Sequence, residues 1–322
     1  MDELSALIWL NDCADSRTAE ATRLFERLGT AERIASAPRE LLEQHLSASL
    51  LMRLTTRKNI YESRARADLA DLVAKGVEIV ALSNPTYPES LRRIPDPPLV
   101  LFVRGELPGT RKCVAVIGTR APTHYGSRLA REIGSILVTR GYVVVSGLAR
   151  GIDTQAHHGA LDAQGMTIAV LAGPINYIWP PENLHLATDI ERNGALIAEI
   201  SPIPEITKSR FVGRNRITSG LSEALVVVEA GDDGGSVHQV RYASQQGRRI
   251  LVATPQETAP PEFLKGYRAI VAMGAEPFVS AQEVSEKLAK PAGTAPSPSE
   301  IRFPDSRVRR IEKSIFDFTA DS

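Results

Sequence analysis

The stretch that decides the fold is Cys113-Val-Ala-Val-Ile-Gly-Thr-Arg120, followed after a helical segment by Val143-Val-Val-Ser-Gly-Leu-Ala-Arg-Gly-Ile-Asp153. Both stretches begin with a run of apolar, mostly β-branched residues, which is typical of strands buried on both faces of a parallel sheet. Each run ends in a glycine-bearing turn before a helical pattern, as expected where a strand enters a helix. The two stretches therefore predict consecutive strand–helix units.

Similar units lie on both sides of this stretch. The predicted core strands are Cys113–Ile117, Val143–Ser146, Thr167–Leu171, Ala195–Glu199, Leu225–Glu229 and Arg249–Val252. Helical patterns such as Gly126–Arg140 fill the intervals, and a weaker last unit, Ala269–Ala272 with Ala281–Lys290, is expected to complete the sheet edge. This alternation predicts an α/β fold with a Rossmann-like, doubly wound, mostly parallel sheet.

The composition divides the chain into three parts. Residues 1–75 have apolar side chains at helical spacing and predict a small N-terminal domain of two to four helices. Residues 76–290 form the predicted core, whose first part, 76–105, carries two leading strands and a proline-rich junction. The leading strands are Gly76–Val80 and Leu99–Val103. Residues 291–322 are predicted to be a Pro/Ser-rich linker and a short tail.

Charge is balanced overall but not locally. The 38 Lys and Arg residues equal the 38 Asp and Glu residues, so affinity for a polyanion must come from clusters. One cluster lies between residues 110 and 150, where Glu132 is the single acid. Its basic residues are Arg111, Lys112, Arg120, Arg128, Arg131, Arg140 and Arg150. Three of these, Arg128, Arg131 and Arg140, are equally typical of a solvated helix face.

Several classes of protein are disfavoured. Cys13 and Cys113 lie far apart, which predicts neither a disulfide framework nor a zinc site. The N-terminus has no basic region, and no apolar run approaches the roughly 18 residues that span a bilayer. We therefore expect a cytoplasmic protein with no membrane partner. His157 and His158 would point about 100° apart on a helix, and no Walker A motif occurs, so we expect no metal and no cofactor.

In open α/β sheets, ligands bind beyond the carboxyl ends of the strands, so the loops there are candidate sites. In the first loop, Gly118 allows backbone N–H groups to approach a phosphate, while the Thr119 hydroxyl and Arg120 can bind it. A tight turn with a surface arginine is the plainer alternative. In the second loop, Ser146, Gly147 and Arg150 can extend the same anion site.

Asp153 ends the second loop and is predicted to be the N-cap of the next helix. A third basic segment, Lys208–Arg216, contains the aromatic Phe211. Cations that hold a backbone and a ring that stacks a base are what single-strand binding requires. A core anchor is the alternative role for Phe211.

Acidic residues offer weaker hypotheses. Asp232 and Asp233 follow a predicted strand, where they fit either a nuclease metal pair or, more simply, an ordinary turn. Glu229 fits either a site acid or a strand-end group that binds backbone N–H groups.

Taken together, these loops resemble the DNA-processing protein A family, also called Smf. The resemblance covers roughly Ile79 to Pro255. Motifs that carry it are Tyr87-Pro-Glu-Ser-Leu91, Val116-Ile-Gly-Thr-Arg120, Ser146–Asp153, Pro181-Glu-Asn183, Arg214-Asn-Arg-Ile217 and Val227-Val-Glu-Ala230. Members of that family bind single-stranded DNA on a Rossmann-like fold and pass it to a RecA-type recombinase during natural transformation.

The resemblance implies roles for particular residues. Arg120 stands where the family has its phosphate-binding arginine, and Gly235 and Ser236 stand in its Ser-Gly-Ser or Ser-Gly-Thr loop. The resemblance also implies a homodimer through the core and an N-terminal domain similar to SAM or helix-hairpin-helix domains. The predicted DNA-binding residues are Gly118, Thr119, Arg120, Ser146, Gly147, Arg150, Lys208, Phe211, Arg214, Asn215, Arg216, Gly235 and Ser236.

Departures from the family pattern indicate a divergent member. Val212 replaces the usual proline, the segment Asp12–Arg17 lacks the usual glycines, and no winged helix is expected in the tail. The leading hypothesis is a non-enzymatic protein that protects single-stranded DNA and helps to load a recombinase. The alternatives are a DNA-binding antitoxin or phage-defence component, a nucleotide or N-glycosidic hydrolase that uses Glu229, and a pure protein-interaction role.

Overall fold

Nine strands form one mixed sheet in the part of the chain that the structure, a computed structural model, describes: residues 1–14, 18–202, 213–231 and 235–290. The strands are β1 (Glu78–Ala81), β2 (Val100–Gly105), β3 (Cys113–Ile117), β4 (Val143–Ser146), β5 (Thr167–Val170), β6 (Gly194–Ala198), β7 (Ala224–Val227), β8 (Arg249–Ala253) and β9 (Glu276–Phe278). Their order is β1-β2-β6-β5-β4-β3-β7-β8-β9. In this order across the sheet, every neighbouring pair from β6 through β3 to β9 is parallel. The pairs β1–β2 and β2–β6 are antiparallel.

Helices connect the strands and cover the sheet. They are α1 (Glu3–Ala14), α2 (Thr18–Leu28), α3 (Ala31–Ser36), α4 (Arg39–Glu43), α5 (Ala48–Ala74), α6 (Glu89–Arg92), α7 (His124–Thr139), α8 (Ile152–Asp162), α9 (Leu184–Asn193), α10 (Asn215–Leu221), α11 (Gly235–Gln245), α12 (Pro261–Ala272) and α13 (Ala281–Ala289). A 3₁₀ turn at Pro181–Asn183 precedes α9. The predicted α/β class and mostly parallel, Rossmann-like sheet are confirmed.

Side chains of the central strands alternate between two apolar layers. Val114 and Val116 of β3 pack with residues of α7, α8 and α13. Ala115 and Ile117 pack instead with residues of α11 and α12 on the opposite face. Burial on both faces explains why the core strands have continuous apolar sequences.

The order in which successive strands are added to the sheet reverses at β3. From β3 the chain proceeds through β4 and β5 to β6 on one side, and it then returns to place β7 and β8 on the other side. The loops that follow β3 and β7 therefore diverge to opposite faces. This divergence leaves a crevice at the carboxyl ends of the strands, where ligands bind in folds of this type.

The N-terminal region differs in detail from the prediction. Five helices, α1 to α5, precede β1, rather than two to four. The extra helix arises because α3 ends at Ser36 and α4 begins one residue after Pro38, whose ring lacks an N–H. The buried carboxylate of Asp12 accepts hydrogen bonds from the Tyr61 hydroxyl (3.0 Å) and the Ser201 backbone N–H (3.2 Å). These bonds fasten the helices to the chain just after β6.

The last sheet edge also needs correction. Ala269–Ala272 forms the end of α12, and the edge strand is the short β9. With three residues that include Pro277, β9 has little β-propensity of its own, and its pairing with β8 fixes it.

Candidate nucleic-acid interface

Two adjoining clefts open at the carboxyl ends of the central strands. Both are lined by Arg120, Ala149 and Arg214. The cleft on the β5 side also contains Tyr177 and Trp179, and we call it the aromatic cleft. The cleft on the β7 side lies at the chain reversal, and we call it the switch-point cleft. Its further lining includes Gly118, Thr119, Asn215, Gly235, Ser236 and Gln239.

Backbone hydrogen bonds fix the loop after β3. The Thr119 N–H donates to the Glu229 carbonyl (2.6 Å), and the Thr119 carbonyl accepts from the Ile152 N–H (3.2 Å). A Cβ at Gly118 would overlap both Ile152 and the Glu229 carbonyl. Gly118 is therefore required for close packing of the loops. This rigid loop carries the exposed Arg120 at the boundary between the clefts.

The loop after β4 uses its polar groups internally, which corrects two sequence predictions. The Ser146 hydroxyl is fully buried and donates to the Val116 carbonyl (2.6 Å). The Gly147 N–H donates to Oδ2 of Asp153 (3.0 Å). Neither donor is available to a ligand in the cleft, because each already binds an acceptor within the protein. Gly147 still lines the aromatic cleft, where a Cβ would overlap the guanidinium of Arg214.

Asp153 is a loop anchor rather than the predicted N-cap. The N-cap of α8 is Gly151, with φ of 78°, and Asp153 lies inside the first turn. Burial raises the pKa of Asp153, while the positive charge of Arg214 and the N–H groups of Ala149 and Gly147 act to lower it. The buried carboxylate thus holds the loop and lies close enough to Arg214 to attract it.

Arg214 forms the floor between the two clefts. Its Nη1 donates to the carbonyl of Val170, the last residue of β5. Its Nε is buried and has no hydrogen-bond partner among the residues that the structure describes. Burial lowers the pKa of Arg214, and the positive charge of Arg120 lowers it further, against the attraction of Asp153. The guanidinium is therefore only partly compensated by the protein.

Arg216 corrects the prediction most strongly. Its side chain is 4% exposed and forms ion pairs with two carboxylates, Glu199 and Asp96. Nη1 lies 2.8 Å from Oε2 of Glu199, and Nε lies 3.2 Å from Oδ2 of Asp96. Burial acts to lower its pKa, but the two carboxylates outweigh burial and raise it. Because its donors are occupied inside the protein, Arg216 is not placed to contact a phosphate.

Arg150 lies at the rim of the aromatic cleft. It is exposed and forms an ion pair with the exposed Glu182. A hydrogen bond and the charge of Glu182 raise the pKa of Arg150, and the same contact lowers the pKa of Glu182. Exposed pairs of this kind exchange readily with other anions.

The far wall of the switch-point cleft consists of the first turns of α11. Gly235, Ser236 and Gln239 line it, and Asn215 approaches from α10. Nε2 of Gln239 is buried without a hydrogen-bond partner within the described ranges. This amide is thus a second unsatisfied donor beside the cleft, after Nε of Arg214.

Glu229 has a structural role. Its Oε2 accepts the Thr123 N–H (2.8 Å), and its Oε1 accepts the Thr123 hydroxyl (2.6 Å). Thr123 is the N-cap of α7, and the carboxylate also lies against Gly126. The strand-end alternative for Glu229 therefore agrees with this geometry.

Sequence reasoning missed the rings of the aromatic cleft. Tyr177 and Trp179 lie in a turn-rich segment after β5, and each is about half exposed. The position of this segment at a strand end was the available signal. The predicted residues Lys208 and Phe211 lie outside the described residues, as do Asp232 and Asp233.

The described part of the chain contains no group of three or more His, Cys, Asp or Glu side chains that could hold a metal ion. None of its helices has the length and apolar character needed to cross a membrane.

Known proteins are similar in sequence to most of this chain. The family DNA recombination-mediator protein A matches residues 78–289. DNA processing protein DprA of Bacillus subtilis is 36% identical over 222 residues, which are 68% of this chain and 74% of that protein. Protein Smf of Escherichia coli is 38% identical over 213 residues, which are 65% of this chain and 56% of that protein. The chain thus matches little more than half of this Smf protein.

Solved structures of DNA processing protein A are also similar to this chain. An X-ray structure of DNA processing protein A from Streptococcus pneumoniae has a TM-score of 0.70 and 26% identity, with 86% of this chain and 95% of that chain covered. A structure from Helicobacter pylori, which describes the single-stranded DNA binding mode of its DNA processing protein A, has a TM-score of 0.59 and 26% identity. It covers 66% of this chain and 95% of that chain. With a family match over residues 78–289, the chain belongs to the DNA recombination-mediator protein A family.

Proposed function

We propose that this chain binds single-stranded DNA in the two clefts and acts as a recombination mediator. The observation that carries the proposal is the guanidinium of Arg214. It lines both clefts, and burial lowers its pKa more than the attraction of Asp153 raises it. A phosphate bound against this guanidinium would supply the missing countercharge through a charge-assisted contact.

Neighbouring cations extend the proposed phosphate track. Arg120 is exposed beside Arg214, and Arg150 is held at the rim by a replaceable ion pair. The net charge of the whole chain is zero, so this concentration of arginines is local. A groove of cations that follows the backbone is the usual means of binding a strand without reading its sequence.

The relatives favour a single strand over a duplex. The structure from Helicobacter pylori describes single-stranded DNA binding by a protein whose chain is covered almost completely by this one. A flexible strand can also enter a recess between loops, which a stiff duplex enters less easily.

We propose a binding role without catalysis. The hydrolase hypothesis needs Glu229 as an acid, but both oxygens of this carboxylate accept hydrogen bonds from Thr123. We expect no release of base from mononucleotides. Chromatography of the reaction mixture measures this directly, and base release that Glu229→Gln abolishes would restore the hydrolase hypothesis.

Fluorescence anisotropy of a dye-labelled oligo(dT) tests the DNA-binding proposal. We expect the wild type to bind it and a duplex competitor to displace it poorly. Arg120→Ala combined with Arg214→Met should weaken binding by more than about tenfold, since two charge-assisted contacts are lost. Arg192→Ala is the matched control, because Arg192 is an exposed arginine of α9 that lines neither cleft. Undiminished binding by the double variant contradicts the proposal.

A RecA-type recombinase as recipient of the strand and a homodimer through the core are further parts of the proposal, supported by family membership. Assembly of RecA on oligo(dT) coated with a single-strand-binding protein should be faster when this chain is present. Light scattering after size exclusion should give twice the mass of 35.0 kDa. DNA binding without any effect on RecA would favour the antitoxin or phage-defence alternative.

A further inference from the structure

The aromatic cleft carries two large rings for which the phosphate contacts provide no role. Tyr177 is 46% exposed and Trp179 is 51% exposed. Most tryptophan side chains in folded proteins are largely buried, so a half-exposed Trp beside a half-exposed Tyr indicates a binding surface. Both rings line the same cleft as Arg120, Arg150 and Arg214.

Hydrogen bonds hold the segment that carries these rings. The Tyr177 N–H donates to the Pro174 carbonyl (2.9 Å) in a tight turn. Just after the rings, the buried Asn183 donates from Nδ2 to the Leu148 carbonyl (2.9 Å) and to the Thr154 hydroxyl (3.0 Å). The segment after β5 is therefore fastened to the segment after β4. A ring surface that is already in place loses little entropy when a ligand binds.

We propose that Tyr177 and Trp179 form a stacking surface for the bases of a strand whose phosphates lie on Arg120, Arg150 and Arg214. This proposal rests on the proposed function and adds base contacts to it. Every base has a π-face, so stacking on such rings tolerates any sequence. The bases of a duplex are already stacked on each other, and the surface therefore selects for single strands.

The neighbouring charges favour a nucleic acid as the occupant. The rings lie beside arginines, and Glu182 is the acid that pairs with one of them. A polyanion with flat apolar rings matches both features of the cleft. Self-association through the exposed rings is the competing occupant, and the experiments below separate the two.

Intrinsic fluorescence gives a direct signal. The sequence contains two tryptophans, and the other one, Trp9, is 2% exposed and donates to the Leu54 carbonyl (3.2 Å). Quenching by unlabelled oligo(dT) must therefore come mainly from Trp179. We expect saturable quenching that disappears in Trp179→Phe, although Trp179→Phe still binds the oligonucleotide. Binding of oligo(dT) without a change in emission contradicts the proposal.

An abasic oligonucleotide of equal length separates stacking from phosphate binding. Trp179→Ala should bind oligo(dT) about 5- to 100-fold more weakly than the wild type, yet bind the abasic strand equally well. Trp179→Phe should retain most of the wild-type affinity for oligo(dT), because its ring can still stack on a base. Leu184→Ala is the control, because Leu184 is an exposed apolar residue that is not part of the cleft lining.

Three other outcomes overturn the inference in different ways. If Trp179→Ala weakens both ligands equally, Trp179 acts through the local structure and not by stacking. If it weakens neither, and sedimentation shows that it abolishes self-association, the rings form a protein contact. If the wild type binds neither ligand, the proposed function itself fails, and the inference fails with it.

Discussion

Arg214 and Arg216 lie two positions apart in one basic motif, yet their surroundings are opposite. Arg216 is enclosed by the carboxylates of Glu199 and Asp96, which raise its pKa. Arg214 lies between the clefts near one buried carboxylate, and burial lowers its pKa. The protein neutralises the charge of Arg216 and leaves the charge of Arg214 only partly neutralised. An incompletely neutralised charge on the floor of a cleft is typical of a group that binds a ligand of opposite charge.

Charge in a basic motif therefore does not by itself indicate contact with DNA. The ion-pair cluster of the buried Arg216 with the partly buried Glu199 and Asp96 joins α10 to the chain after β6 and to the junction before β2. Its effect is to fix the start of α10, and through it the position of Arg214. Arg216 is thus a positioning residue, whereas Arg214 is the proposed binding residue.

Removal of Arg216 should have the largest effect. Arg216→Met leaves two partly buried carboxylates without their cation, and we expect a loss of about 3 kcal/mol in the free energy of unfolding, at the lower end of the range for buried pairs. Urea denaturation measures this loss. A variant with wild-type stability would show that the cluster does not stabilise the fold, and the structural role of Arg216 would be refuted.

Removal of Arg214 should affect binding instead. Arg214→Met should lower the affinity for oligo(dT) by about 10- to 100-fold, the value of one hydrogen-bonded charge contact, and leave the urea midpoint close to that of the wild type. The loss of stability should be small because Asp153, the carboxylate near Arg214, keeps the backbone N–H groups of Gly147 and Ala149 as hydrogen-bond donors. Anisotropy and urea titration of the same sample measure both. Destabilisation as large as that of Arg216→Met would erase the distinction.

Low pH should destabilise the protein through His157, a buried residue that the charge of Arg214 affects. Burial, His158 and Arg214 together lower the pKa of His157 to about 3. The unfolded chain takes up this proton near pH 6.5, so stability is full above that pH and falls as the pH decreases towards 3. Between pH 7 and pH 5 the free energy of unfolding should fall by about 2 kcal/mol through His157 alone.

Urea denaturation at both pH values tests the role of His157. His157→Gln removes the titrating group, so the fall between pH 7 and pH 5 should shrink by about 2 kcal/mol even if the variant is less stable throughout. An unchanged fall would show that His157 is not held neutral in the folded protein.

The smallest effect is expected at the rim. Glu182→Gln releases Arg150 from its exposed partner, and the affinity for oligo(dT) should rise by a few fold, because exposed pairs are weak. Asp71→Asn, which removes a negative charge from an exposed pair of α5 instead, should leave the affinity unchanged. A decrease in affinity on Glu182→Gln would mean that the carboxylate helps to bind the ligand.

The sheet was largely predictable from sequence because its strands are buried on both faces. Continuous apolar runs such as Cys113–Ile117 have a strong signal, and the structure reproduces this strand with the predicted bounds. The short β9 has no such signal, since three residues with a proline become a strand only through pairing.

The site was predictable only in part. Strand-end loops located Arg120, Arg150 and Arg214 at the clefts. The burial of Arg216 could not be foreseen, because its partners Asp96 and Glu199 are distant in sequence and their approach depends on the tertiary fold. The internal use of Ser146 likewise depends on the depth of its loop. Tyr177 and Trp179 lie in a turn whose exposure has no sequence signature.

The salt dependence of DNA binding tests the central claim most directly. The dissociation constant for oligo(dT) should be measured across a range of salt concentrations for the wild type and for Arg120→Ala combined with Arg214→Met. Each phosphate contact to a single strand contributes about 0.7 to the slope of log affinity against log salt. We predict that the double variant loses about 1.4 of this slope. An unchanged slope and affinity would contradict the account, because the arginines of the clefts would then make no phosphate contact.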